Sequence, residues 1–360
     1  MTRSRCGAFC GGLSGMEMIR FQKHLTMIWL NRIFLRVISF LTGKTGGSGA
    51  GRDEGNVLIL DLFSLNAVKG LYNMNVHDQV ERISAMEHSV IFPDHRKVCA
   101  LGQGTWKMGK SALREAEEIR ALRVGIELGM SVVDTAEMYG NEDLVGAAIR
   151  GLRDRVFLVT KVLPGNASRT GTKAACERSL KKLKTDFIDL YLLHWGGSHP
   201  IEDTVASMLE LQQEGKIKSW GVSNMDVAEM ERFYALPGGK SCAANQILYN
   251  LAHRGVEYDL LPWCREHHIP VMAYSPADEG RLCSHPVLVE LALKHEATPV
   301  QIALAWIMRM PGIIAIPKAG SVTHVQENYH SLSIKLTAGD RELLDEAFPP
   351  PGRKVHLDSW

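Results

Sequence analysis

A tyrosine, a lysine, a histidine and an aspartate, each at or just past the end of a short apolar run, could together protonate a carbonyl oxygen. Asp134 closes VVD (132–134), and the TAEMYGNE that follows brings Tyr139; Lys161 closes VFLVTK (156–161), and His194 and Trp195 close FIDLYLLHW (187–195). A phenol has a pKa of about 10 and donates well near neutral pH only if that value falls. An ammonium ~4 Å away, at an effective dielectric of ~20, stabilises the phenolate by about 4 kcal/mol, or roughly three pKa units before desolvation is subtracted. Lys161 can supply that charge, Asp134 can pair with Lys161 and hold it, and His194 can hydrogen-bond the carbonyl oxygen and orient it. The expectation is a Tyr139 made more acidic by its lysine neighbour.

Polar or aromatic residues close further apolar runs: Ser223-Asn224 in IKSWGVSN, Asn245-Gln246 in CAANQI, Tyr274-Ser275 in IPVMAYS and Lys318 in GIIAIPK. Taken singly, each has a plainer explanation. An Asp–Lys pair can be structural, His194 a satisfied polar residue, Tyr139 a packing residue, and Trp106 and Trp195 core aromatics. Their joint appearance at successive run ends favours chemistry. No nucleophile–base pair stands out, and no metal site is expected, because the adjacent His267 and His268 point apart on a helix.

The elements that must position these groups alternate. Eight strand candidates (98–104, 132–134, 156–161, 187–195, 217–224, 242–247, 269–275 and 312–318) are each followed by a helical pattern: 112–129, 142–150, 172–184, 202–214, 226–235, 256–268, 286–308 in two pieces, and 322–332. The strand runs are apolar throughout and β-branched, as expected of strands buried on both faces. Eight βα units over ~250 residues predict an α/β fold, a (β/α)₈ TIM barrel, with the strand C-terminal ends gathered at one mouth. A doubly wound open sheet is the rival, but no G-x-G-x-x-G follows the first strand; GQGTWKMG (102–109) spaces its glycines differently.

The full chain has 360 residues, 45% hydrophobic and 22% charged, with 41 Lys and Arg against 40 Asp and Glu. That balance excludes wholesale disorder and gives no reason to expect nucleic acid as a partner. The seven cysteines are scattered without a C-x-x-C pair, which predicts reduced thiols and a cytoplasmic protein. Residues 1–50 carry seven Lys or Arg and one acid, unlike the remainder. Residues 25–41 (LTMIWLNRIFLRVISFL) are apolar but interrupted by Arg32 and Arg36, which suits a basic amphipathic surface helix better than a membrane span. GKTGGSGAGRDEG (43–55) reads as a flexible linker. Residues 1–85 are therefore expected to stand outside the catalytic fold, which begins at Met86, with 88–98 forming a short N-terminal hairpin.

The segments DTAEMYGNE, TK at 160–161, LLHW at 192–195, GVSN at 221–224, NQ at 245–246, AYSP at 273–276 and IPKA...HVQEN at 316–328 resemble, in order and spacing, those of the aldo-keto reductase family. The resemblance runs from about 86 to 349 and is strongest to bacterial reductases of 2-oxoaldehydes such as methylglyoxal and of keto sugars. It implies an NAD(P)H-dependent reduction of small aldehydes and ketones. Asp134, Tyr139, Lys161 and His194 match the catalytic tetrad, with Tyr139 as general acid. Ser223, Asn224 and Gln246 match the residues that hold the nicotinamide carboxamide; Tyr274, followed by Ser275, matches the aromatic stacked on its ring. Lys318 lies in the loop that meets the adenosine 2′-phosphate, Glu327 and Asn328 near the adenine, and Trp106 and Trp195 along the substrate pocket. His324 stands where many members carry an arginine for the 2′-phosphate; histidine is neither permanently charged nor bidentate, so a weaker, pH-dependent NADPH preference with NADH as a substitute is expected. The short end of the chain after Phe348 predicts an open mouth, and a monomer acting on small-molecule carbonyls is expected. The other readings are a Schiff-base aldolase using Lys161 and a non-enzymatic, nucleotide-binding redox-sensing module.

Overall fold

A computed structural model describes residues 88–359. The expectations for 1–85, including the apolar stretch at 25–41 and the Gly-rich stretch after it, lie outside the described residues.

The first element is an antiparallel hairpin, β1 (Ser89–Ile91) with β2 (Lys97–Cys99), turned through Asp94 and a left-handed His95 (φ 67°). Eight parallel strands follow in sequence order: β3 (Gln103–Gly104), β4 (Val132–Asp134), β5 (Phe157–Val162), β6 (Ile188–Leu193), β7 (Ile217–Ser223), β8 (Cys242–Leu248), β9 (Val271–Tyr274) and β10 (Ile313–Ala315). The ring closes between its first and last members. Leu101 bridges Ala315, Gly104 bridges Lys318, and Gly104 donates its amide to the Pro317 carbonyl at 3.0 Å. Gly104 has to be glycine here, because a Cβ would stand 2.7 Å from the Ile316 carbonyl oxygen. The barrel expectation holds. One strand reading needs correcting: Val98, the last residue of the expected hairpin and also the first of the expected strand 98–104, belongs to the hairpin, and so does Cys99, expected in that strand alone. Their apolar character suits either sheet, and the turn at 92–96 decides between them.

Every residue of β5, β6 and β8 is buried, because the helices cover the outer face and side chains fill the inner one. Around the sheet run α1 (Ala112–Leu128), α2 (Glu142–Ile149), α3 (Arg169–Leu183), α4 (Ile201–Gln213), α5 (Val227–Tyr234), α6 (Leu260–Glu266), α7 (Pro286–Lys294), α8 (Pro299–Met308), α9 (Val322–His330) and α10 (Ala338–Ala347). Their starts are set locally: Asp226 with Glu229, Thr298 with Gln301 and Thr337 with Asp340 each form a reciprocal capping box. The 256–268 pattern proves helical only over α6, after a 3₁₀ turn at Gly255–Glu257, and α10 was not anticipated. Among the described residues no helix is long and apolar enough to cross a membrane.

At the closed end, opposite the strand C-termini, Asp189 of β6 gathers the hairpin. Its carboxylate accepts from Arg96 Nη1 (2.6 Å), Arg153 Nη2 (2.7 Å) and the Leu158 amide (2.9 Å), while Arg96 Nη2 reaches the Asp189 carbonyl (3.0 Å). Beyond α10 the tail folds back over the barrel: Lys354 pairs with Asp259 (2.9 Å) and Asp358 with His253 (2.8 Å). This tail lies closer to the mouth than its length suggested, and Ser359 lines the mouth cavity.

Candidate active site at the barrel mouth

β4 delivers Asp134 to the mouth, and the chain then makes a 3₁₀ turn, Glu137–Tyr139, ended by Gly140 at φ 66°. Two side chains fix that turn. Asn141 accepts from Thr135 Oγ1 (2.8 Å) and donates to the Thr105 carbonyl (2.7 Å), while Glu137 Oε1 accepts from Asn166 Nδ2 (3.0 Å) in the 3₁₀ turn that follows β5. Tyr139 is thereby turned back toward Lys161. The lysine ammonium donates to Asp134 Oδ2 (2.8 Å), the Thr135 carbonyl (2.8 Å) and the Tyr139 hydroxyl (3.2 Å), so all three protons are placed. The other Asp134 oxygen accepts from Gln246 Nε2 (2.8 Å), a link that ties β8 into the constellation.

Charge follows from this geometry. Burial alone would lower the Lys161 pKa, but the Asp134 charge and the bonds to Asp134 and Tyr139 outweigh it and hold the value above that of a free lysine. Lys161 is a buried cation. For Tyr139 the expected acidification is not found. Burial raises its pKa, the Lys161 charge lowers it and the Asp134 charge raises it, and the outcome lies above the ordinary phenol value. Burial was the quantity the sequence could not supply, and the aspartate that steadies the lysine also cancels much of its field. In the resting protein Tyr139 is a protonated hydroxyl. His194 is pushed down to about 3 by burial and then by the Lys161 charge, so its imidazole is neutral.

The aromatic groups form one wall. The Tyr139 ring lies 4.8 Å from Trp106 and 5.7 Å, edge-on, from His194, which lies 4.7 Å from Trp195. Trp106 and Trp195 are 40% and 37% exposed, so they face the mouth and are not core residues. Beside them opens a cavity of about 850 Å³ whose lining includes Met138, Trp195, His199, Asn224, Arg232 and Ser359.

The other strand-end residues surround this point. Asn224, left-handed at φ 56°, donates to the His194 carbonyl and the Ser223 hydroxyl (both 3.2 Å) and accepts from the Tyr274 hydroxyl (2.8 Å). Ser275 is left-handed, as are Asp278, Glu279 and Gly280 in the loop after β9. Lys318 follows β10, and His324, Glu327 and Asn328 lie on α9; the Glu327 carbonyl accepts from Gln301, and Asn328 is buried. Sequence reasoning missed Lys107, whose ammonium meets Glu279 at 3.0 Å and so spans the loops after β3 and β9. It also missed the positioning roles of Glu137 and Asn141. The signal for Lys107 was present in TWK at 105–107, but nothing in the sequence pairs it with residue 279. Among the described residues no three His, Cys, Asp or Glu side chains gather into a metal site.

Known proteins place this architecture. The Aldo/keto reductase family profile matches residues 100–348. Methylglyoxal reductase YeaE of Escherichia coli K12 is 51% identical over 267 residues, which are 72% of this chain and 94% of that enzyme. Methylglyoxal reductase DkgB of Escherichia coli O157:H7 is 31% identical over 253 residues, 68% of this chain and 91% of that enzyme. Among solved structures, an aldo/keto reductase from Klebsiella pneumoniae in complex with NADP and acetate superposes with a TM-score of 0.75 at 48% identity, covering 76% of this chain and 99% of that one. With a closed eight-stranded barrel and matches of this extent, the chain belongs to the aldo/keto reductase family of oxidoreductases.

Proposed function

We propose that this protein reduces small aldehydes and ketones with NADPH, with 2-oxoaldehydes such as methylglyoxal, for which two of its relatives are named, as the first substrate class and keto sugars as the second. The observation that carries the reading is the Tyr139 hydroxyl 3.2 Å from a fully buried Lys161 ammonium, beside a neutral His194.

The residues present suit a dinucleotide. Hydroxyl and amide groups of Ser223, Asn224 and Gln246 stand at adjacent strand ends, as a carboxamide needs, and the half-buried Tyr274 ring and the exposed Lys318 ammonium suit a ring face and a phosphate. Bound there, dihydronicotinamide supplies a hydride to the carbonyl carbon. The protein's part is to manage the oxygen. Tyr139 donates its proton as the carbonyl oxygen gains charge, and the resulting phenolate is stabilised by Lys161, whose own charge is fixed by Asp134. Neutral His194 adds a hydrogen bond that orients the oxygen without competing as an acid. Hydride plus proton gives the alcohol, and water returns the proton to Tyr139. A Schiff base through Lys161 suits the arrangement poorly, because its nitrogen is enclosed, charged and already committed to three acceptors.

The test is NADPH oxidation at 340 nm with methylglyoxal and a panel of keto sugars, run with the protein and with Tyr139→Phe. Loss of ~10²–10⁴ in kcat/KM on removing the hydroxyl is expected for an aligned general acid. Near-full turnover by Tyr139→Phe would remove the assignment.

A further inference from the structure

Two methionines line the mouth cavity, and the fold treats them differently. Met225, just past β7, is buried, whereas Met138 is 40% exposed. Apart from the half-buried Met310, every other described methionine is no more than 6% exposed. The exposure of Met138 is imposed by its turn. Glu137, on one side of it, is tied by Asn166 and the Leu163 amide to the segment after β5. Tyr139, on the other side, is held at its hydroxyl by Lys161 (3.2 Å) and at its carbonyl by Lys110 Nζ (3.0 Å). With both neighbours fixed, the residue between them faces the mouth. Its thioether sulfur is a soft nucleophile, and a sulfur within reach of solvent can be oxidised to the sulfoxide, which turns an apolar side chain into a polar one.

We propose that Met138 is a modification site, oxidised to the sulfoxide by hydroperoxides, and that this oxidation shifts the substrate range of the mouth from apolar toward polar carbonyls. The proposal rests on the carbonyl-reductase reading above. In the step, the sulfur lone pair attacks one peroxide oxygen, and an S–O bond forms as the O–O bond breaks. The sulfur is oxidised by two electrons and the peroxide is reduced. The proton on the attacked oxygen passes to the departing one, which leaves as water, or as an alcohol from an alkyl hydroperoxide. The product places a polar acceptor in the lining that Met138 shares with Trp195. An alkyl substituent packed there would cover that acceptor without pairing it, at a cost in free energy. A hydroxylated substituent can donate to it. Because Tyr139 is held from both ends, the change acts on substrate capture and leaves proton transfer intact.

The experiment treats the full chain with hydrogen peroxide and follows each methionine by peptide mass spectrometry. NADPH-dependent reduction of hexanal and of methylglyoxal is measured before and after, each variant against its own untreated sample. Cys283→Ser is the background, because Cys283 is the half-buried thiol among the described residues. Met138 should be oxidised well before Met225. The KM for hexanal should then rise about tenfold, the size expected when a polar group is covered by an apolar one. The kcat and the KM for methylglyoxal should hold, and methionine sulfoxide reductases A and B together should reverse the change. Met138→Leu should be indifferent to peroxide. Met138→Gln, a permanent polar acceptor, should show the raised hexanal KM with no peroxide at all. A Met138 that stays reduced while buried methionines oxidise overturns the proposal. So does an equal peroxide effect in Met138→Leu, or complete sulfoxide formation with an unchanged KM for hexanal. An untreated chain that reduces neither aldehyde overturns the carbonyl-reductase reading and the change of substrate range with it, while the mass spectra decide the modification site separately.

Discussion

Asp134 and Lys161 form an ion pair of 2.8 Å between side chains that are 3% and 0% exposed, at the point where three barrel strands and the Tyr139 turn meet. Pairs of this kind are costly to desolvate, and they persist only when their remaining hydrogen-bonding capacity is met. Here it is met, by Thr135, Tyr139 and Gln246.

Breaking that pair from one side should therefore be worse than removing it. Lys161→Met leaves a buried carboxylate held only by Gln246, and roughly 3–5 kcal/mol of unfolding free energy should be lost, the usual consequence of an uncompensated buried charge. Lys161→Met/Asp134→Leu should be more stable than Lys161→Met alone, although neither variant should reduce a carbonyl. Urea unfolding of the two single variants and the double variant measures the coupling; additive losses would show that the two charges do not depend on one another.

Neutral His194 predicts a pH signature in stability and one in turnover. In the unfolded chain a histidine titrates near 6.5, while the folded value is about 3. Between those values the unfolded state binds the extra proton, so the stabilisation is complete above about pH 6.5 and is lost as the pH falls toward 3, at up to about 1.4 kcal/mol per pH unit. His194→Gln should flatten this acid limb of the stability curve. Turnover should show no histidine ionisation between pH 5 and 8, and, with the Tyr139 pKa raised, no alkaline loss of its proton below about pH 10. An inflection near pH 6.5 in kcat/KM that disappears in His194→Gln would mean the imidazole is charged during the reaction.

Much of the site could be read from the chain because a barrel turns linear order into convergence. Once Asp134, Lys161, His194, Asn224, Gln246, Tyr274 and Lys318 are recognised as ends of apolar runs, the fold brings them to the C-terminal ends of the strands, and hydrogen bonds from Lys161 and Gln246 join the ends of β4, β5 and β8 directly. What could not be read depends on burial or on contacts far apart in sequence. The Tyr139 pKa moved opposite to expectation because two charges and a desolvation act on it at once. Val98 and Cys99 are apolar in either of two sheets. The meeting of Lys107 with Glu279, 172 residues apart, leaves no periodic trace. The tail at Lys354 and Asp358 folds back through ion pairs that composition does not foretell.

The same reasoning applies at the far end of the barrel, where Asp189, 7% exposed, binds two guanidinium groups and an amide. Arg96 belongs to the hairpin side of this junction, and Arg153 to the turn before β5, so one carboxylate fastens the plug to two neighbouring strands. Each arginine also lies over an aromatic ring, Arg96 over Phe157 and Arg153 over Phe187. Asp189→Ala leaves Arg96 with Asp94, takes the carboxylate from Arg153 and leaves one strand amide unpartnered, and should cost about 1–3 kcal/mol, whereas Asp189→Asn keeps the acceptor oxygen and should cost less. Because the junction lies at the opposite end of the strands from Tyr139, kcat per folded molecule should hold in both variants. Urea unfolding alongside active-site titration decides the matter. If Asp189→Ala matched the wild-type stability, the hairpin would not depend on that carboxylate; if kcat fell in a fully folded variant, the two ends of the barrel would be mechanically linked.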